Sequence, residues 1–308
     1  MIALLTPGQG SQAPGMLSSW LEVAGARERI AAWSDATGLD LLRLGTEADA
    51  EEIKDTAVTQ PLVVALALLA HAELINRIGA LPADTVVAGH SVGELAAAAV
   101  AGVLTEDDAV ALAAIRGAEM AKACAVTPTG MAAVMGGDPE AVVAALAELD
   151  LTPANRNGAG QIVAAGAIPA IEKLVGNAPE GTRVKQLAVA GAFHTHFMAP
   201  AQDALRSKAA DIAVADPRLT LLSNADGTPV TTGAEVLSRL ISQVTSPVRW
   251  DSCMTTIGTH SPALVAELPP AGTLTGLVKR ELKGTATLAV KTPAELDKLV
   301  DQLKENLA

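Results

Sequence analysis

Ser91 stands between Gly89 and Gly93 in the stretch VVAGHSVGELAAAAVAG, residues 86 to 102. A serine with glycine two residues to either side is the G-x-S-x-G pattern of a nucleophile elbow. Small flanking residues let a strand reverse into a helix so sharply that the serine Oγ stands clear of the sheet. The flanks fit this geometry: Val86 to Ala88 reads as the end of a buried strand, and Glu94 to Val100 is built from strong helix formers. Taken alone, the pattern also fits an ordinary glycine-rich turn. A serine becomes a nucleophile only with a base beside it and donors for the oxyanion, so the rest of the chain must supply both.

Five histidines are available as the base: His71, His90, His194, His196 and His260. His90 adjoins Ser91, and neighbours at an elbow point apart, so a role in supporting the turn suits it better. His71 lies in an apolar helix and His260 in a Gly-Thr loop, where neither carries a catalytic signal. His194 and His196 remain, in AGAFHTHFMAP, between the two phenylalanines of the chain. Their i, i+2 spacing could also serve a metal on a strand, but no Cys, Asp or Glu partner stands near, so no metal is expected.

Oxyanion donors come from the residue after the nucleophile, here Val92, and from a glycine-rich loop after an early strand, here PGQGSQ at residues 7 to 12. That loop has a rival reading, because Gly8, Gly10 and Ala13 match a dinucleotide fingerprint. A Rossmann unit then requires a second strand ending in an acid, whereas LEVAGARERIAAW is helical in pattern. Arg116 is the other informative residue. Ala109, Leu112, Ala113 and Met120 share its helix face, so the guanidinium points inward and needs an anion. The anion is either a carboxylate of the protein, with Glu119 among the candidates, or one carried by a bound acyl group.

The elements that must position these groups are legible in outline. At 308 residues the chain suits one large domain with an insertion, or two domains. Half of it is apolar and 2% is aromatic, with no tyrosine, so Ala, Val and Leu fill the core. Helices packed on a parallel sheet suit that composition. Strand Ile2–Leu5 leads into PGQGSQ, and a helix is expected from about Pro14 to Ala36. Pro61 is expected in the first turn of the next helix, behind Thr59. Thr105, followed by Glu106, Asp107 and Asp108, caps a helix running to about Cys124. From residue 126 the texture changes to strand, helix, strand, helix, strand, which reads as an inserted ferredoxin-like α+β subdomain over 126–190. Residues 1–125 and 191–308 then form the catalytic core. The formal net charge of −12 argues against nucleic acid and anionic membrane as partners. The apolar run Leu62–Ala70 is too short to span a bilayer, and Met1–Pro7 lacks a basic leader region. Cys124 and Cys253 are expected as free buried thiols and the location as cytoplasmic.

Taken in order, PGQGSQ, TQP, GHSVGE, an arginine 25 residues after the serine, NRNGAGQIVAAG, AFHT, SPVRW and LTGL resemble the malonyl-CoA:acyl-carrier-protein transacylases of fatty acid and polyketide synthesis. The resemblance covers nearly the whole chain. It implies a hydrolase-like α/β core, mostly parallel, around the ferredoxin-like insert. It implies Ser91 as nucleophile, His194 as base, and the Gln9 and Val92 N–H groups as the oxyanion hole. It implies Arg116 as the clamp on the malonyl carboxylate, with Gln60 and Gln161 lining the pocket. It also implies that the main-chain carbonyl of Gln243 orients His194, giving a Ser-His dyad without a third carboxylate. Phe193 occupies the place where malonyl-selective members resemble this chain and methylmalonyl-selective ones carry a smaller residue.

The resemblance further implies transfer of malonyl from malonyl-CoA to acyl carrier protein through a malonyl-serine, with no cofactor. A serine thioesterase of the same elbow type is the alternative, although α/β-hydrolases run Ser, acid, then a late His. A monomer is expected. Acyl carrier proteins are acidic, so a local basic patch must dock them, with Arg183 and Lys185 or Lys279, Arg280 and Lys283 as candidates. LPPAG at 268–272 departs from the family's Gly-Pro-Gly turn, which leaves that loop's shape open. His196 has no fixed family role and is expected to be supporting.

Overall fold

The structure, a computed structural model, describes residues 1–307, with side chains through residue 304. The described strands are, in chain order, β1 (Ile2–Thr6), β2 (Val86–Gly89), β3 (Thr129–Gly136), β4 (Thr152–Gly158), β5 (Gln161–Ala167) and β6 (Thr182–Gln186). They continue with β7 (Thr220–Leu222), β8 (Pro229–Val230), β9 (Val248–Arg249), β10 (Leu264–Glu267) and β11 (Thr287–Ala289). Six form a sheet in the order β11-β10-β1-β2-β7-β8, parallel except for the β7–β8 pair. β1 and β2 are buried at every residue, as central strands covered by helices on both faces must be. Their register sets Thr6 beside Gly89. The PGQGSQ loop and the serine turn therefore leave the carboxyl ends of adjacent strands, where open α/β sheets bind ligands.

The second sheet runs β6-β3-β5-β4-β9. Its first four strands and the helices Pro139–Glu148 and Ile168–Gly176 form a β-α-β-β-α-β unit of ferredoxin-like order, antiparallel throughout. Val134, Val142, Leu146, Ile171 and Leu174 close its separate core. β9 joins from outside this unit and pairs parallel with β4. The sequence reading lacked β4. Pro153, Asn155, Arg156 and Asn157 dilute its apolar alternation, and two register irregularities bend it, so the usual period-2 signal is weak.

Two helices also differ from expectation. The stretch from Pro14 to Ala36 holds a 3₁₀ turn, Ser18–Glu22, and a helix, Ala26–Thr37, divided at Gly25 in the left-handed region. The Thr56–Ile78 helix starts earlier than Pro61 suggested, because the Asp55 side chain caps it by accepting from the Ala57 N–H at 2.9 Å. Pro61 is its sixth residue and forgoes one intrahelical bond. Thr56–Ile78 is, among the described residues, the one helix long and apolar enough to cross a membrane. Leu62 to Ala70 is buried without interruption inside the fold, as a central core helix is. It packs against helix Glu106–Cys124, capped by Thr105 as expected. At their crossing a Cβ on Gly117 would lie 2.5 Å from the Thr56 carbonyl oxygen, so glycine permits the approach that fixes Arg116 beside Gln60.

Candidate active site

The turn after β2 is built by contact. A Cβ on Gly89 would lie 2.2 Å from the Gly93 carbonyl, and one on Gly93 would lie 2.3 Å from the Thr6 carbonyl oxygen. Real side chains do not tolerate such distances against backbone, so both positions require glycine. Ser91 itself takes φ 53°, a left-handed conformation uncommon for a non-glycine residue. The helix Gly93–Val100 starts immediately behind it. His194 is also left-handed, with φ 61°, and meets the serine from the chain returning out of the small sheet. Ser91 Oγ and His194 Nε2 stand 2.8 Å apart, and His194 Nδ1 donates to the Gln243 main-chain oxygen at 2.9 Å. That second bond places the proton on Nδ1 and leaves Nε2 as the acceptor for the serine hydroxyl. Burial first, and then the Arg116 charge, hold the His194 pKa down at about 3, so the ring is a neutral base.

Arg116 is 2% exposed, yet no carboxylate pairs with it directly among the described residues. Glu119, a candidate partner, instead pairs with Lys122. Nη1 donates to Gln60 Oε1 at 2.6 Å, and Nη2 reaches Gln243 Oε1 at 3.0 Å and Ser91 Oγ at 3.2 Å. Its Nε–H is buried without an acceptor. Burial lowers its pKa to about 10, which still leaves the guanidinium charged at neutral pH. A fixed cation with an unspent donor beside a serine oxygen is suited to a ligand that brings its own carboxylate.

A cavity of about 260 Å³ opens over these groups. Gln9, Gln60, Arg116, Gln161 and Phe193 line it together with Ser91 and His194. Expected site residues from six separate stretches of the sequence therefore meet here. No described group accepts from the main-chain N–H of Gln9 or Val92, so both donors are unspent next to Ser91. Gly8 fits directly under the His90 carbonyl, where a Cβ would lie 2.4 Å from the oxygen, which brings the Gln9 loop onto the elbow. Gln161 accepts from Asn157 Nδ2 at 3.0 Å, and Asn157 Oδ1 meets His90 Nε2 at 3.0 Å. Burial lowers the His90 pKa. His196 stacks on Phe197 outside the cavity lining. His71 and His260 also lie outside it. Cys124 and Cys253 are unpaired, and burial pushes both thiols up.

Three features were not read from the sequence. Asn224, two residues past the end of β7, accepts from the Ser91 N–H at 2.8 Å and donates to the Gly89 carbonyl at 2.8 Å. Glu94 lies buried behind the elbow, where burial pushes its carboxyl up to about 8 while the Asn224 and Gln243 donors and Arg116 pull it back. A signal for Glu94 existed: its helix is apolar on nearly every side, which leaves its one acid no solvent face. Glu267, also buried, accepts from the N–H groups of Gly272, Leu274 and Thr275, holding the LPPAG loop and the start of helix Thr273–Glu281. Leu274 and Leu277 of that helix line the cavity.

This geometry has named counterparts. The acyl transferase domain family matches residues 4–307. The malonyl CoA-acyl carrier protein transacylase of Mycobacterium tuberculosis is 61% identical over 301 residues, covering 98% of this chain and all of that one. A crystal structure of MCAT from Mycobacterium tuberculosis superposes with a TM-score of 0.94 at 60% identity, over 97% of this chain and 99% of that chain. A type II PKS acyl-carrier protein in complex with its malonyl-transacylase gives a TM-score of 0.91 at 30% identity, over 98% and 99%. With the elbow, the imidazole and the buried guanidinium meeting in one cavity, and with relatives matched from end to end, the chain belongs to the acyl transferase family, among its malonyl CoA-acyl carrier protein transacylases.

Proposed function

We propose that the protein transfers malonyl from malonyl-CoA to the phosphopantetheine thiol of acyl carrier protein through a malonyl ester on Ser91. The observation that carries this reading is the placement of Ser91 Oγ within hydrogen-bond reach of both His194 Nε2 and the Arg116 guanidinium. His194 takes the serine proton as Oγ attacks the thioester carbonyl. The developing oxyanion lies between the Gln9 and Val92 N–H groups. On collapse CoA leaves as the thiol, taking the proton from His194, and the ester remains. The carrier thiol then attacks that ester by the reverse choreography, and Ser91 regains its proton. Throughout, Arg116 holds the free carboxylate, Gln60 orients the guanidinium, Gln161 lines the path of the arm and Phe193 crowds the α-carbon. No metal or organic cofactor enters any step.

Acyl carrier protein as the partner is supported by a relative solved with its carrier bound. Residues 126–190 are read as the insert and 1–125 with 191–308 as the catalytic core, since β3 to β6 pair with one another and, outside themselves, only with β9 among the described strands. Every residue given a role comes from one chain, so a monomer suffices, and sedimentation equilibrium checks that. The same reading places the enzyme in the cytoplasm, where Cys124 and Cys253 remain thiols. Intact-mass spectrometry after mixing with malonyl-CoA tests the chemistry. A durable malonyl adduct that Ser91→Ala abolishes is the expected result; rapid release of free malonate would indicate a thioesterase, and no adduct would remove the transfer reading.

A further inference from the structure

The histidine, the arginine and the serine turn come from distant parts of the chain, yet one side chain stands behind all three. Glu94 Oε1 accepts from the Asn224 main-chain N–H at 2.7 Å, and Oε2 accepts from the Gln243 side-chain Nε2. From Asn224 the connection runs to the elbow, through the bonds to the Ser91 N–H and the Gly89 carbonyl. From Gln243 it divides. The main-chain oxygen holds His194 Nδ1, and the side-chain Oε1 holds Arg116 Nη2. We propose that Glu94 is a positioning residue for the transfer reaction, its carboxyl group fixing the Gln243 amide and the Asn224 backbone at once, and through them His194, Arg116 and the Ser91 turn.

Polarity makes the arrangement directional. Both Glu94 oxygens accept here, so the Gln243 amide turns its NH₂ toward Glu94 and its oxygen toward the guanidinium. The reversed amide would set oxygen against oxygen at one end and N–H against a cation at the other. Gln243 thereby bridges the buried Glu94 carboxyl and the buried Arg116 guanidinium, which make no direct hydrogen bond. Glu94 itself is absent from the cavity lining, so it acts only through its neighbours.

This inference rests on the transfer reading for its substrate, and two independent readouts keep their failures apart. Ser91 labelling by a fluorophosphonate reports serine-histidine activation without any acyl substrate. Acylation by malonyl-CoA and acetyl-CoA reports the arginine. Glu94→Gln keeps shape and volume but presents an NH₂ to one of two donors. It should slow labelling at least tenfold, raise KM for malonyl-CoA as well as lower kcat, and reduce the malonyl-over-acetyl preference at least fivefold. Glu94→Asp, which restores a carboxyl group at shorter reach, should recover part of each loss. Rates are normalised to folded protein by circular dichroism and thermal melting. A folded Glu94→Gln protein that labels and discriminates within twofold of the parent overturns the proposal, as does a loss in Glu94→Gln and Glu94→Asp that merely tracks the unfolded fraction. A parent that labels but takes up no malonyl sinks the transfer reading, while slower labelling in Glu94→Gln still supports the positioning role.

Discussion

A buried imidazole next to a guanidinium resists protonation, and His194 is under both pressures, which hold its pKa at about 3 against an ordinary 6.5. Its neutral form is then available across the whole physiological range. Acylation kcat/KM for the free enzyme should show no acid limb near pH 6.5; a limb with that midpoint, lost in His194→Ala, would contradict the depressed value. The stability linkage has a definite sign. The folded protein declines a proton that the unfolded chain accepts, so this contribution is complete above 6.5 and is lost as pH falls toward 3. On the proposed reading, Arg116 carries the acyl choice. Arg116→Ala should cost malonyl transfer about 2–5 kcal/mol, as removing one member of a buried charge pair does, while acetyl transfer persists. Phe193→Ser should separately relax discrimination against methylmalonyl by about 1–3 kcal/mol, the worth of a methyl in an apolar pocket. Measuring kcat/KM for malonyl-, methylmalonyl- and acetyl-CoA on both variants decides this, and an Arg116→Ala enzyme as malonyl-selective as its parent would remove the clamp. Ser91 and Arg116 stand out because each breaks a local expectation of the sequence, whereas elimination leaves His194 and His196 together and only the AFHT resemblance separates them. Asn224 was not legible, because its meaning lies in a bond across 133 residues to a turn it does not adjoin.

Elements meet at this site through glycines that leave no room for a methyl. Gly93→Ala would set a Cβ 2.3 Å from the Thr6 carbonyl oxygen and 2.6 Å from that of Pro7, both backbone atoms that cannot swing aside. It should destabilise the fold by about 1–3 kcal/mol, the usual cost of overpacking, and abolish labelling of Ser91 in the fraction that folds. Gly176→Ala, with nothing within 4 Å of its Cβ, serves as the control and should leave both unchanged. Thermal melting together with labelling reads the two variants; normal labelling in folded Gly93→Ala would mean that the elbow tolerates reshaping. Most elements could be read in advance, because helices such as Glu106–Cys124 carry their caps and apolar faces within a few residues. β4 escaped for the reason that makes it useful, since Asn155 and Asn157 face the cavity and displace the apolar residues that announce a strand. Pro61 misled because a proline usually marks a first turn, whereas the Asp55 cap sets the start of that helix.

Over the whole molecule, a net charge of −12 opposes an acidic carrier protein, so docking requires a local exception to the global field. Helix Thr273–Glu281 offers a candidate, with Leu274 and Leu277 in the cavity wall and Lys279 and Arg280 exposed at its far end. Replacing Lys279 and Arg280 by Glu should raise KM for the carrier protein several-fold and leave acylation by malonyl-CoA intact; equal loss in both half-reactions would dismiss this patch. Arg183 and Lys185, exposed on the outer strand of the small sheet, are the comparison pair. The strand β9 has a mechanical consequence. It enters the small sheet five residues after Gln243, pairing Asn155 with Val248 and Arg156 with Arg249, and the Arg249 N–H donates to the Asn224 carbonyl at 2.7 Å. Swinging one sheet away from the other would drag the supports of the histidine and of the serine turn along with it. A bore of fixed calibre is therefore expected in place of a closing jaw, and hydrogen exchange at Val248 and Arg249 should be equal with and without malonyl-CoA. Extra protection on binding would reveal a hinge. On the proposed reading a rigid bore requires the pantetheine arm to be threaded lengthwise, and the length of that arm becomes the ruler that brings the thioester to rest at Ser91.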